Sequence, residues 1–304
     1  MARNYKNMGA AAAVILLLLV LPALLSAYNV YLLSKIIILS LYAVAFNILL
    51  GFTGLLSFGH ALFFSASAYT VAICLAKLDM PLWAGLLLAV FIVLAFALVT
   101  GLLSLRHKDI HFALITLSFS MLFWGVVMKW RSVTGGEDGI TGISRGMSIQ
   151  QYYYVLLPVV VVSIFAIHKI MTSNFGLLLE SIRENDTRVS FSGHSVIRYR
   201  LYAMLLSAGF TGVAGVLWLF LDGCIDPTVS HWTFSAVPVI ASLIGGPAYF
   251  TGPIFGVLIY ELALEIITKY TLYWQLVLGV VILLVVLFFR GGIVGSCKLL
   301  LKGE

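Results

Sequence analysis

From Ala10 to Leu25, and again from Pro81 to Leu105, the chain carries no charged side chain. Segments that are apolar on every side belong where water is absent, and a crossing of the hydrocarbon layer takes roughly 20 such residues. Lipid-facing backbone satisfies its own hydrogen bonds only in a helix or a closed barrel. Barrel strands alternate polar and apolar residues and these runs do not, so helices are the solution. With 62% hydrophobic and 10% charged residues among 304, and a mean hydropathy of +1.10, too little polar surface remains to coat a soluble globule. The expected fold is all-α: a polytopic membrane helix bundle over residues 1–304, a single transmembrane domain of about ten crossings, some of them broken or re-entrant.

The crossings are expected near residues 9–27, 30–50, 61–76, 81–105, 112–130, 152–171, 201–221, 234–244, 251–268 and 272–289. The first has flanks like a secretory signal, but it is long, contains Pro22 and runs at once into further apolar sequence, so an uncleaved helix is expected. Lys35 stands near one end of the second and is expected to snorkel to the interface. Two places break the pattern. Gly54, Ser57, Gly59 and His60 interrupt the apolar sequence between residues 51 and 60, and Gly245 and Gly246 precede Pro247 after a short eighth segment. Irregular backbone at membrane depth is tolerated where it is buried in protein or lines a wet cavity. These six residues are therefore the candidate translocation pathway, the alternative being plain tight turns.

The longest polar island is the loop 172–200. Phe175, Leu178, Leu179 and Ile182 recur at helical spacing while Glu180, Arg183 and Glu184 point elsewhere, so the loop is expected to hold an amphipathic docking helix. Asn185 and Asp186 can cap a second short helix through Phe191, and Gly193 supplies a left-handed bend. A second polar loop holds Thr134, Gly135, Gly136, Asp138 and Gly139; it has neither calcium-loop carboxylate spacing nor a lysine-bearing phosphate loop, and a rigid exposed turn is expected.

Charge orients the bundle. With the N-terminus inside, Arg3, Lys6, Arg106, Lys108, Lys169, Arg183, Arg188, Arg198, Arg200, Arg290, Lys298 and Lys302 fall on the cytoplasmic side, twelve of the 18 basic residues. Both termini and the 172–200 loop are then cytoplasmic, and the Gly135–Gly139 loop is external. The net charge of +6 is scattered at loop ends without a basic run or stacking platform, so no nucleic-acid partner is expected. Cys74, Cys224 and Cys297 are isolated, which suits structural thiols rather than a metal site.

In order along the chain, GLLSFGHALFF from Gly54, SVTGGEDGI from Ser132, FGLLLESIRENDTRVSFSG from Phe175 and LIGGPAYFTGPIFG from Leu243 resemble the permease subunits of branched-chain amino acid ABC importers, the LivM-like family. The resemblance implies a bacterial or archaeal cytoplasmic (inner) membrane protein that pairs with a second, homologous permease, two cytoplasmic ATPases and an extracytoplasmic solute-binding protein. It implies ATP-driven import of branched-chain amino acids or of related small polar solutes such as urea or amides. Leu178, Leu179, Glu180, Ile182, Arg183, Glu184 and Gly193 would then contact an ATPase. The tail departs from the family's Arg-Pro pattern at Arg290, Gly291 and Gly292, and the loop lacks the general importer spacing of Glu-Ala-Ala followed by Gly.

Independently of resemblance, the chain contains no GxxxxGK[ST], so ATP chemistry would reside on separate subunits and this chain is expected to be a transport subunit without enzymatic activity or a cofactor of its own. Two rival readings stand beside this one. Glu261, deep in the ninth crossing, could couple transport to an ion gradient, with Glu265 tied to Lys269 one turn on. Ser57 and His60 could form a hydrolase pair, which would further require an oxyanion hole.

Overall fold

The computed structural model describes residues 16–107, 109–288 and 291–296. The expected start of the first crossing, the end of the last, Cys297 and the basic residues Arg3, Lys6, Lys108, Arg290, Lys298 and Lys302 lie outside the described residues. Helix residues 16–24 (α1) are followed by α2 (Ala27–Thr53), α3 (His60–Ala76), α4 (Leu82–Ser104), α5 (Asp109–Lys129), the single turn α6 (Arg131–Thr134), α7 (Ile149–Met171), α8 (Asn174–Glu184), α9 (Asp186–Phe191), α10 (Val196–Asp222), α11 (Trp232–Gly245), α12 (Gly252–Tyr270) and α13 (Trp274–Phe288). Five of these, α2, α4, α5, α7 and α10, are both long and apolar enough to cross a membrane. Among the described residues the one extended pairing outside helices is an isolated bridge, Ile140 to Ile225.

The bundle is built around α2, α3 and α10. Helix α2 is buried on all sides through Ile36–Leu49, and α3 along nearly its whole length. In α4, by contrast, only Gly85, Ala89, Val93, Ala97, Thr100, Gly101 and Ser104 face inward, small residues at helical spacing that let it approach α3 and α10 closely, while Leu87, Phe91 and Leu102 face outward. The most apolar of the five candidate spans thus faces outward and the mixed ones lie at the centre, as expected where the surrounding solvent is hydrocarbon.

Polar contacts define two ends. At one, Lys77 Nζ donates to Ser132 O, Ile140 pairs with Ile225, and Tyr31 OH donates to Asp222 Oδ1 (2.8 Å). At the other, α8 packs under the last turns of α2, where Arg183 Nη1 donates to Gly51 O. The caps follow the local sequence. Ser148 and Gln151 form a reciprocal capping box on α7, three residues before the expected start at Tyr152, and Asn185 Oδ1 accepts from Arg188 N (2.9 Å) to start α9.

Two expectations need correction here. Lys35 does not snorkel: its Nζ lies 2.8 Å from Glu261 Oε2, with the Glu261 side chain 4% exposed, in a buried pair between α2 and α12. The approach lies off the hydrogen-bonding direction, so the contact is one of charge. The short eighth segment is also not broken at its end. Helix α11 runs to Gly245, residues 246–251 turn into α12, and α11 is short because of where it begins, at Trp232.

Candidate functional site

Helix α2 is capped by Gly54, whose φ of 74° suits a residue without a Cβ, and the chain then turns back into the bundle as an irregular segment to Gly59. Helix α3 therefore starts inside. Its first residue, His60, is fully buried and held on both ring nitrogens, Nδ1 3.1 Å from Ser57 Oγ and Nε2 2.8 Å from Ser207 Oγ. Ser207 Oγ donates onward to Ala45 O (2.7 Å), so it accepts from His60 Nε2–H. His60 Nδ1 is then the acceptor for the Ser57 hydroxyl, whose oxygen accepts from Gly59 N. The chain of donors assigns a neutral, Nε2-protonated imidazole. Ala45 stands eight residues from the end of α2, which places this junction about 12 Å into the bundle.

A mirror arrangement enters from the opposite end. After α10 stops at Gly223, residues 223–231 turn inward, fixed by the Ile140–Ile225 bridge, by Asp226 Oδ1 accepting from Thr228 N (2.7 Å), and by Ser120 Oγ donating to Ser230 O (3.1 Å). Helix α11 starts at Trp232, beside the start of α3: Ser235 Oγ accepts from Ala61 N at 2.7 Å, and Tyr42 OH reaches Phe234 O at 3.5 Å. From this meeting point α3 runs toward Ser132 while α11 runs toward Pro247, whose carbonyl accepts from Asn47 Nδ2 (3.1 Å). Two half-helices thus place their positive ends together within the bundle.

The two ends differ in access. The α3 end is closed by the chain's own groups, with Thr116 Oγ1 accepting from Phe58 N and Ser235 Oγ from Ala61 N. At the α11 end Trp232 is 37% exposed and Thr233 is exposed, and the Thr233 N–H has a long 3.4 Å contact to His231 Nδ1. Around it stand Phe58, edge-on to Trp232 at 6.3 Å, and Trp124, edge-on to His231 at 5.3 Å. A helix N-terminus beside aromatic faces can take a carboxylate and an aliphatic side chain at once.

The expected pathway residues divide. Ser57 and His60 lie at the junction but point into packed protein, with Ser57 fully buried. Gly59 is a packing residue: a Cβ there would stand 2.9 Å from Thr116 O. Gly54 is exposed at the α8 end. Gly245 and Gly246 lie away from the junction, where a Cβ on Gly245 would meet Gly252 O at 1.7 Å and one on Gly246 would meet Gly291 O at 2.5 Å. The Ser57–His60 pair is a closed structural relay with no opening toward a substrate, so the hydrolase reading is set aside. Sequence reasoning missed Ser207, Ser235, Thr116, Phe58 and Trp232. The available signal was residues 223–231, where Gly223, Asp226, Pro227 and Ser230 interrupt two apolar segments.

In the loop between α5 and α7, Thr134 is buried and its hydroxyl lies 2.6 Å from Val127 O, Gly135 closes against Gly139, and Gly136 is buried, while Asp138 is exposed. The turn is not wholly exposed as expected: half of it is packed inward on residues 223–226.

In the 172–200 loop, Leu179 and Ile182 are 0% and 1% exposed, packed with Val189 into the core that contains α2, α7 and α10. Phe175 and Leu178 are partly buried against the same core, Glu180 is partly buried, and Glu184 and Gly193 are exposed, Gly193 with φ 84°. The apolar stripe therefore already has its partner within the chain. A different set is open: Leu177 at 59% and Phe191 at 88%, with Ser181, Arg188 and His194 beside them.

Glu261, the candidate ion-coupling carboxylate, is neutralised by Lys35, and Glu265 pairs with Lys269 (2.9 Å) and accepts from Tyr28 OH (2.6 Å). Neither is an unpaired acid lining a path, so the ion-coupled reading lacks its site.

Comparison with known proteins places these features. Residues 28–286 match the family model described as branched-chain amino acid transport system / permease component. The chain is 24% identical over 311 residues to the high-affinity branched-chain amino acid transport system permease protein LivM of Salmonella typhimurium, covering 92% of this chain and 73% of the relative. It is 23% identical over 320 residues to the protein of the same name from Escherichia coli, covering 95% and 75%. A probable branched-chain amino acid transport permease protein LivM of Methanocaldococcus jannaschii is 24% identical over 208 residues, 64% of this chain and 60% of that one. No solved structure matches.

Proposed function

The chain belongs to the branched-chain amino acid transport system permease family, and from that premise we propose that it is the transmembrane permease subunit of an ATP-driven importer whose solute passes the junction of α3 and α11. The observation that carries the reading is the meeting of two oppositely directed half-helices inside the bundle, one of them with an open N-terminus. An amino-acid carboxylate placed at Thr233 would meet the positive end of α11, and an aliphatic side chain would lie against Trp232 and Phe58. Branched-chain amino acids fit this pairing of one anionic group with an apolar body. Urea and amides, which lack the carboxylate, fit it less well.

ATP would be hydrolysed by two cytoplasmic subunits, since this sequence has no phosphate loop. A homologous permease and an extracytoplasmic solute-binding protein complete the proposed assembly in the cytoplasmic membrane, with both termini inside. The docking surface for an ATPase is the open side of α8–α9 rather than the buried stripe. Phe191 and Leu177 would supply its apolar contacts and Glu184 and Arg188 its orientation. Leu179, Ile182 and the Arg183–Gly51 bond would transmit a push on that surface to the end of α2, which begins the re-entrant segment. Proteoliposomes carrying the co-purified complex test the proposal: leucine uptake should require ATP on the ATPase side and solute-binding protein on the other. Uptake driven by a proton or sodium gradient without ATP would overturn it.

A further inference from the structure

A groove of about 350 Å³ runs between α4 and α7 along the outward side of α10, and no assignment above uses it. Leu86 and Val90 form one wall, Val155 and Val159 the other, and Gly209 and Val216 the floor. Gly209 is what opens it, because a Cβ there would meet nothing within 4 Å. The α10 residues along it run from Gly209 to Phe220, a rise of about 17 Å, close to half of the roughly 30 Å hydrocarbon layer. The groove therefore spans one leaflet, on the side of the 131–148 segment. At its mouth stands Arg145, whose guanidinium lies 6.0 Å over the Tyr152 ring and whose Nη1 is buried without a hydrogen-bond partner.

We propose that this groove is a binding site for one anionic phospholipid, with an acyl chain laid on Gly209 between α4 and α7 and the phosphate paired to Arg145. Apolar walls alone do not select a lipid, because hydrocarbon in the groove replaces hydrocarbon in the bilayer. Selection comes from the cation: a net negative headgroup brings Arg145 an uncompensated partner, whereas a zwitterionic headgroup carries its own ammonium. A partly buried guanidinium facing an apolar slot is matched by a molecule that is anionic at one end and aliphatic for the length of a leaflet.

The test is native mass spectrometry of the full-length chain in detergent, delipidated and titrated with phosphatidylglycerol or phosphatidylcholine. One phosphatidylglycerol per chain should survive, favoured about fivefold over phosphatidylcholine. Arg145→Gln should erase the preference and Arg145→Lys keep it. Gly209→Leu should fill the floor and remove the bound lipid of either kind. Equal retention of both lipids by the wild type, a preference that persists in Arg145→Gln, or a lipid retained in Gly209→Leu would each overturn the site. Should Arg145→Gln fail to fold, the wild-type preference and the Gly209→Leu result decide.

Discussion

The Lys35–Glu261 pair makes an asymmetric prediction. Both charges sit between α2 and α12, but the Lys35 side chain is 23% exposed and Glu261 4%. Breaking a buried pair by deleting one partner costs about 3–5 kcal/mol, because the survivor is left uncompensated. Lys35→Met strands the more deeply buried carboxylate and should cost about 3–5 kcal/mol. Glu261→Gln strands the less deeply buried ammonium, on a side chain 23% exposed against 4% for its partner, so it should fall below that range, at about 1–2 kcal/mol. The double variant Lys35→Met/Glu261→Leu removes both charges and should lie within about 1 kcal/mol of the wild type. Denaturant titration in mixed micelles, following helix content, measures all three. Equal losses for the two single variants, or a double variant as unstable as their sum, would refute the reasoning. The same Glu261→Gln protein should retain ATP-driven uptake, since the carboxylate is assigned a structural role.

Other substitutions separate packing from function. Leu179→Asp puts a charge into a fully buried position and should prevent accumulation of folded protein, whereas Phe191→Asp, on an 88% exposed residue, should leave folding intact and reduce ATPase stimulation by loaded binding protein at least tenfold, as co-purification and phosphate release would show. Gly59→Val forces a side chain into Thr116 and should destabilise by about 1–3 kcal/mol, measured by loss of the monodisperse peak on size-exclusion chromatography after heating. Ser207→Ala removes the acceptor for His60 Nε2–H and should cost about 1–3 kcal/mol in the same micelle titration, with His60→Ala no less costly.

The helical class was legible from Pro81–Leu105 alone, and the amphipathic character of α8 from four residues at helical spacing. Who buries that stripe was not legible, because Leu179 packs equally well on a partner or on α2 as far as periodicity can tell; the fold resolved it through Arg183 reaching Gly51. The first re-entrant segment announced itself through Gly54, Ser57 and Gly59. The second was missed, because Gly245 and Gly246 drew attention to a place where backbones touch, while the interruption at Asp226, Pro227 and Ser230 went unused. Lys35 and Glu261 stand 226 positions apart in sequence, and nothing local to either could reveal their pairing. Likewise the acceptor for Ala61 N at the start of α3 is Ser235 Oγ, 174 positions away, a contact that no local pattern announces.

The most direct measurement is solute protection of a cysteine at position 233. In the assembled transporter with its other cysteines replaced, Thr233→Cys should be alkylated by a small water-soluble thiol reagent, and saturating leucine presented on loaded binding protein should slow that alkylation while ATP cycling restores it. A residue 233 that never reacts, or reacts at one rate whatever solute is supplied, would contradict the placement of the pathway at the junction of α3 and α11.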